Sequence, residues 1–600
     1  MSQIKTRKEG NAAYQWNLSH LIKDDDEWLD YYTTIESLTT KLSTYNGQLS
    51  ESPEILLGCL QTNALMEEKF SRLYTYSYMR FHEDTGVSAH QEATERINAL
   101  EVKVASASAY IEPELLAMDI TTLRSLIANN DALKIYHHYI EDLLRQKAHI
   151  LPKEQEELLA GLSDFAGTPG SIFSMFNDAD IKFPDVIDEA GNPAPLTKGN
   201  FIKYLESPDP VVRETAFKTL YAKYKENENT LASILTANLK KDVFMMHARG
   251  FESTCGASLF AKNIDPSVYD NLIDAVHNNI GLLHRYVALR KKILAIDDLH
   301  VYDLYMPMIA DVKEDIPYES AKKTVLEAVQ VMGPEYVATV QKAFDEQWID
   351  VYENQGKRGG AYSWGTYGAH PYILLNYQDS IKNMFTLAHE LGHTMHSYYS
   401  SKTQPYTYAA YPIFLAEVAS TVNESLLLQH LLKTTTDKKK RLYLLNHYME
   451  SFRSTLYRQT LFAEYEKIIH EKIEKGEALS AKTLSEIYYD LNKTYYGDDL
   501  ILDEEIAMEW SRIPHFYTSY YVYQYATGFS SAIAIAKQLL DEGQGAVDNY
   551  ITNFLSAGKS KYPLDTLKSV GVDMTTAAPV ENALKVFESV LDEMESLISS

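Results

Sequence analysis

His389-Glu390-Leu391-Gly392-His393 sits inside an apolar segment with helical periodicity, Ile381 to His396, and this stretch constrains the chain more than any other. Two histidines four apart on a helix project from one face, so both imidazoles can reach a single ion. The glutamate beside the first histidine can face a water at that ion and take its proton. Met384, Phe385, Leu387, Ala388, Leu391 and Met395 surround the motif, which predicts a largely buried helix. Histidines are costly in such a place unless they have partners. Gly392 adds a second constraint. Glycine inside a helix costs about 1 kcal/mol relative to alanine, so its presence points to close approach of another backbone or of a ligand.

Two histidines and a water leave a tetrahedral zinc one ligand short. A third histidine six residues beyond His393 is absent, because Tyr399 occupies that position. His396 lies one turn along the same helix, but ligands at i, i+4 and i+7 spread over ~10 Å of axis. A supporting or core role suits it better. The following segment, Pro412 to Glu424, offers a carboxylate instead. Pro412 suits a helix first turn. Glu417, Thr421 and Glu424 share one face of an otherwise apolar helix, and a carboxylate stripe there needs a cation or donors. Glu417 completes a His-His-Glu set with His389 and His393. Glu424, two turns on, can accept the free ring N–H of a ligating histidine and fix its tautomer. Metal-assisted hydrolysis is the chemistry this constellation implies.

HELGHTMH at His389 to His396, followed by FLAEVASTVNE at Phe414 to Glu424, resembles the thimet oligopeptidase family of zinc peptidases, and within it the oligoendopeptidase F group. The resemblance extends over most of the chain. Tyr14 to Leu18 with Trp28 looks like the family's N-terminal start, Gly356 to Tyr362 like its loop before the catalytic helix, and His515 to Gly528 like its C-terminal substrate-binding motif. The resemblance implies one Zn2+ per chain, carried by His389, His393 and Glu417, with Glu390 as general base. It also implies a deep enclosed channel for oligopeptides, and His515 with Tyr517, Tyr520 or Tyr523 near the scissile carbonyl. Thimet-type members carry a longer glycine-rich stretch between that histidine and the tyrosines, so which tyrosine donates to the oxyanion stays open. One such donor is typically worth roughly 3–4 kcal/mol of barrier. Tyrosines at 517, 520, 521, 523 and 525 cannot share one helical face, and core packing is the expectation for Tyr521 and Tyr525.

Elsewhere the pattern is overwhelmingly helical, with apolar residues at 3–4 spacing over 97–112, 210–248, 318–345 and 439–475. Strands are few. Ala369 to Tyr377 reads as one, with Pro371 suggesting an edge position or a strand start. An edge strand there could pair with an extended peptide or simply belong to a small core sheet. Ile181 to Ile187 is a weaker candidate because Pro184 interrupts it. Gly359 and Gly360 suggest a mobile loop. The expected fold is mainly α: a multi-lobed helical zincin-type metallopeptidase with a small β-sheet beside the metal-binding helix. Residues 1–110 read as an N-terminal helical lobe, 111–200 as a connecting region and 201–600 as the catalytic domain.

A formal charge of −27 disfavours nucleic acid and anionic membranes as partners. Two distant cysteines, Cys59 and Cys255, make no disulfide scaffold and point to a reducing compartment. No apolar signal segment opens the sequence, and no apolar run reaches membrane-spanning length. A cytoplasmic enzyme acting on oligopeptides is the expectation, and a monomer is compatible with it. The sequence reading is a zinc endopeptidase. A zinc exopeptidase on the same scaffold is the first alternative, although no residue reading a free terminus stands out. A peptide-binding protein with structural zinc is the second, but it has no use for Glu390 beside an open ligand position.

Overall fold

The structure, a computed structural model, describes residues 4–309 and 314–599. The chain forms two compact units, each assembled from three segments. The first comprises Met1–Ala148, Lys313–Leu431 and Ile535–Val572. The second comprises His149–Val312, Leu432–Ala534 and Asp573–Ser600.

The first unit opens with three packed helices, α1 (Asp25–Ser43), α2 (Pro53–Glu83) and α3 (Ser88–Ser108). The first two start where side chains satisfy orphan amides: Asp24 accepts from Glu27 N–H, and Ser52 from Ile55 N–H with Pro53 in the first turn. Their apolar faces, including Ile35, Leu42, Leu56, Leu73, Ile97 and Leu100, form one core with Tyr372 and Leu374 of a small sheet.

That sheet has three strands, β1 (Ile349–Asp350), β2 (Tyr362–Trp364) and β3 (Tyr372–Leu374), in the order β1-β3-β2. β3 runs parallel to β1 and antiparallel to β2, with Ile373 opposite both Ile349 and Ser363. The strand expected within 369–377 is therefore central, not an edge. Its three residues are all fully buried, and an uninterrupted apolar run is what a strand covered on both faces requires. Pro371 immediately precedes it, where a missing N–H costs the ladder nothing. β2 is an edge strand of this sheet.

The glycine-bearing loop before β2 is tied down rather than mobile. Lys357 is buried against Asp350 at 2.7 Å, Arg358 bonds His82 through both backbone and side chain, and Asn376 holds the Gly360 carbonyl. Gly356 has φ +79°, and a Cβ there would collide with Asp84, so only glycine fits. Arg7 reaches Glu83 and Asp350, which fastens the N-terminal segment to the same place.

Two helices then carry the motif residues: α4 (Ile381–Thr403) and α5 (Ile413–Thr434). Ser380 caps α4 by accepting from Asn383 N–H, and Ser363 of β2 bonds Thr394 of α4 at 2.8 Å. Small interruptions elsewhere divide the long helical stretches. Helices Tyr318–Ala328 and Pro334–Asp345 flank Gly333, whose φ is +83°.

The second unit is a helical assembly with one short antiparallel hairpin, Val186–Ile187 against Pro193–Ala194. The predicted stretch 210–248 forms two helices, Pro210–Lys225 and Glu228–Ala248. The stretch 439–475 is nearly continuous: Lys438–Ser451, a π-helical turn at Phe452–Tyr457, then α6 (Arg458–Glu474). The helix α7 (Tyr523–Glu542) begins here and crosses into the first unit. Among the described residues no helix is long and apolar enough to cross a membrane.

Candidate active site

The close approach foreshadowed by Gly392 is a helix crossing. A Cβ on Gly392 would lie 2.5 Å from both the Ala419 carbonyl oxygen and the Ser420 Cα, so α4 and α5 touch backbone to backbone there. Asn423 Nδ2 of α5 donates to the Ala388 carbonyl of α4 at 3.3 Å, and Tyr336 in turn donates to Asn423 Oδ1 at 2.8 Å. This crossing sets Glu417 and Glu424 opposite His389 and His393.

The His389 and His393 Nε2 atoms are 3.2 Å apart, and each is 3.4 Å from Glu417 Oε2. A tetrahedral zinc with bonds of about 2.0–2.1 Å has ligand–ligand edges of about 3.3–3.4 Å. The three donors therefore form one face of such a tetrahedron, and they are the His/Cys/Asp/Glu group with metal-holding spacing among the described residues. The tautomer also fits. His389 Nδ1 bonds Glu424 Oε1 at 2.6 Å, which places the proton on Nδ1 and the lone pair of Nε2 toward Glu417 and His393. Ser420 Oγ lies 3.1 Å from Glu417 Oε2 and can steady it, a contact that the carboxylate stripe alone did not announce.

Electrostatics separates the carboxylates. Burial works to raise the Glu417 pKa, but the hydrogen bond and charge of His393, then the His389 charge, hold it down at about 2. Glu390 behaves oppposingly: burial is the largest influence and pushes its pKa up against the pull of the two imidazoles. Burial tends to lower that of His389, and the Glu424 bond and surrounding carboxylates overcome it, lifting the imidazole to about 9. Glu390 is 6% exposed and its Oε2 has no hydrogen-bond partner. Such an atom is expensive in a structure, and it is available to a proton brought by a ligand. His396 is fully buried and stacks on Tyr411 with ring centroids 3.6 Å apart. It takes no part in the triangle, in keeping with its distance along the helix.

The C-terminal motif residues belong to the second unit. Tyr520 and Tyr523 are buried, at 2% and 1% exposure. The Thr254 hydroxyl faces Glu474, so the Tyr520 hydroxyl, 2.8 Å from Thr254, is its donor and is already engaged. Tyr520 also has φ +56°, and its N–H donates to buried Glu466 at 2.7 Å. Tyr517 stacks on Phe173 and is half-buried. Tyr521 and Tyr525, expected in the core, are half-buried beside His515, with ring centroids 5.9 Å from it. Tyr520 takes a left-handed conformation between the short helix ending at Tyr517 and α7, so no single helical period runs through the motif.

Comparison with known proteins gives a consistent result. Residues 203–586 match the profile of peptidase family M3, and residues 114–183 match that of oligopeptidase F. The chain is 46% identical to oligopeptidase PepF of Bacillus subtilis, with 100% of this chain and 89% of that protein covered. It is 38% identical to group B oligopeptidase PepB of Streptococcus agalactiae, covering 99% and 98%. Among solved structures, oligoendopeptidase-F of Enterococcus faecium aligns with a TM-score of 0.74 at 37% identity, covering 96% and 99% of the two chains.

Proposed function

The chain belongs to peptidase family M3 and is a metallo-oligopeptidase, and from that premise we propose that it is a zinc-dependent endopeptidase cleaving internal bonds of short oligopeptides. The observation that carries this reading is the triangle of His389, His393 and Glu417 donor atoms beside the buried Glu390 carboxylate, whose Oε2 has no hydrogen-bond partner. His389, His393 and Glu417 would hold the ion, and Glu424 would fix the His389 tautomer. When bound, zinc supplies Lewis acidity, lowering the pKa of water and polarising a carbonyl oxygen.

The protein's own groups then manage the protons. Glu390 accepts one from the attacking water and delivers it to the leaving amine. Its burial favours this double task, because a carboxylate whose pKa is raised releases a proton less readily than water-exposed glutamate and so retains it until the amine departs. For hydrogen bonding at the carbonyl oxygen, the family resemblance proposes His515 with Tyr517, Tyr520 or Tyr523; of these the Tyr520 hydroxyl is already bonded to Thr254. Tyr523 is buried at the start of α7. Both cysteines are free, which suits the cytoplasmic location proposed for the enzyme.

An end-blocked, internally quenched oligopeptide tests this reading, with wild type and Glu390→Gln compared and bound zinc quantified in both. The expected result is cleavage by wild type, equal zinc in the two proteins, and a rate ~10²–10⁴-fold lower in the variant. A zinc-loaded wild type that cleaves only unblocked peptides would replace the endopeptidase reading with an exopeptidase one.

A further inference from the structure

Around a small cavity of about 20 Å³ in the second unit, cations outnumber anions among the lining residues. Arg453, Arg458 and Arg512 line it, and Glu509 is the one carboxylate among its lining residues. Glu509 is already saturated. It accepts from Arg458 at 2.7 Å, from Arg512 at 2.6 Å and from the Tyr488 hydroxyl at 2.5 Å. Arg453 turns its Nε and Nη2 to Glu450 at 2.9 and 2.8 Å, but Glu450 is shared with buried Arg290, 2.9 Å away. Four arginines thus divide two carboxylates. The remaining Arg290 bonds go to the Asp303 and Met306 carbonyls and the Tyr286 hydroxyl, which carry no charge.

Arg453 is 4% exposed, and its Nη1 is buried without any partner. A guanidinium does not lose its proton in a protein, and a buried charged donor left without a partner is costly even where the rest of the group is paired. Tyrosine cannot supply the missing anion: burial raises the pKa of Tyr496, which also lines the cavity. The backbone indicates that the convergence is built in. Arg453 and Arg458 are five residues apart, which in an α-helix would set them on different faces. The π-helical turn Phe452–Tyr457 has i→i+5 bonding and brings such positions nearer to one face.

We propose that this cavity binds one chloride ion between Arg453, Arg458 and Arg512. A cavity of this size has room for a single water-sized occupant, so phosphate, sulfate and carboxylate-bearing ligands are too large, and the surrounding charge repels metal cations. A water molecule would satisfy the Arg453 Nη1 donor but leave the charge excess uncompensated. Chloride does both.

The test is thermal unfolding of the full-length protein at fixed pH and ionic strength, replacing sodium gluconate stepwise by sodium chloride. Chloride raises the midpoint by a few degrees and saturates, bromide does the same, and Arg453→Met abolishes the response. Equal midpoints in chloride and gluconate overturn the proposal. Crystals of wild type grown in bromide give a second reading that does not depend on the variant folding. An anomalous peak beside Arg453 Nη1 supports the site, and a cavity holding only water overturns it.

Discussion

Glu424 never touches the triangle, yet it determines which nitrogen of His389 can join it. Its carboxylate accepts a hydrogen bond from Nδ1–H at 2.6 Å, leaving Nε2 as the lone-pair donor. Removing such an outer partner typically costs ~10–100-fold in metal affinity. Glu424→Ala is therefore expected to weaken zinc binding by that factor in competition with a chromogenic chelator. Unchanged affinity would mean that the His389 tautomer is set by something else. Gly392 makes the second residue-scale prediction. Its missing Cβ is what allows α4 and α5 to approach, and the atoms a methyl would meet are backbone, which cannot swing aside. Gly392→Ala should lower stability by about 1–3 kcal/mol despite the better helix propensity of alanine, read from the denaturant midpoint. A stabilised variant would contradict the close crossing.

At the scale of elements, the second unit stakes stability on the ion pairs between α6 and the 3₁₀ segment Glu504–Arg512. Burial alone would raise the Glu509 pKa, but Arg458 and Arg512 bring it down to about 2. With a folded value below the unfolded one of about 4.3, this group stabilises the fold at pH above 4.3 and loses that contribution as pH falls toward 2, on the order of 3 kcal/mol in all. Denaturant midpoints measured from pH 5 to pH 2 should fall steeply in wild type and less steeply in Glu509→Gln. Parallel slopes would show that other carboxylates govern the acid limb. Reading elements from sequence worked best where the period was long and uninterrupted. The apolar spacing around His389 gave α4 and its buried face, and Pro412 marked the start of α5. It worked less well where a single residue changes direction. Pro371 resembled an edge signal although it only precedes a central strand, and nothing in the helical period of Tyr517 to Tyr525 announced the left-handed turn at Tyr520. Ser420 and Asn423 were equally silent, since their roles depend on which carbonyl or carboxylate the crossing helix presents.

For the molecule as a whole, predominance of helix with a small sheet followed from patterning, whereas the assembly of each unit from three segments did not. That assembly rests on contacts between residues hundreds of positions apart, such as Tyr139 with Tyr408, which leave no local trace. The family resemblance carries a prediction at this scale: short unfolded peptides should be cut and native globular proteins left intact. Rapid loss of a folded protein on a gel would contradict restriction to oligopeptides. In the proposed mechanism His389, His393 and Glu417 hold one zinc on which peptide cleavage depends. Stripping the protein with a chelator and titrating zinc back while following an end-blocked peptide measures this directly. No cleavage without metal and full recovery at one equivalent are expected. Cleavage that survives stripping, or recovery only beyond one equivalent, would contradict that mechanism.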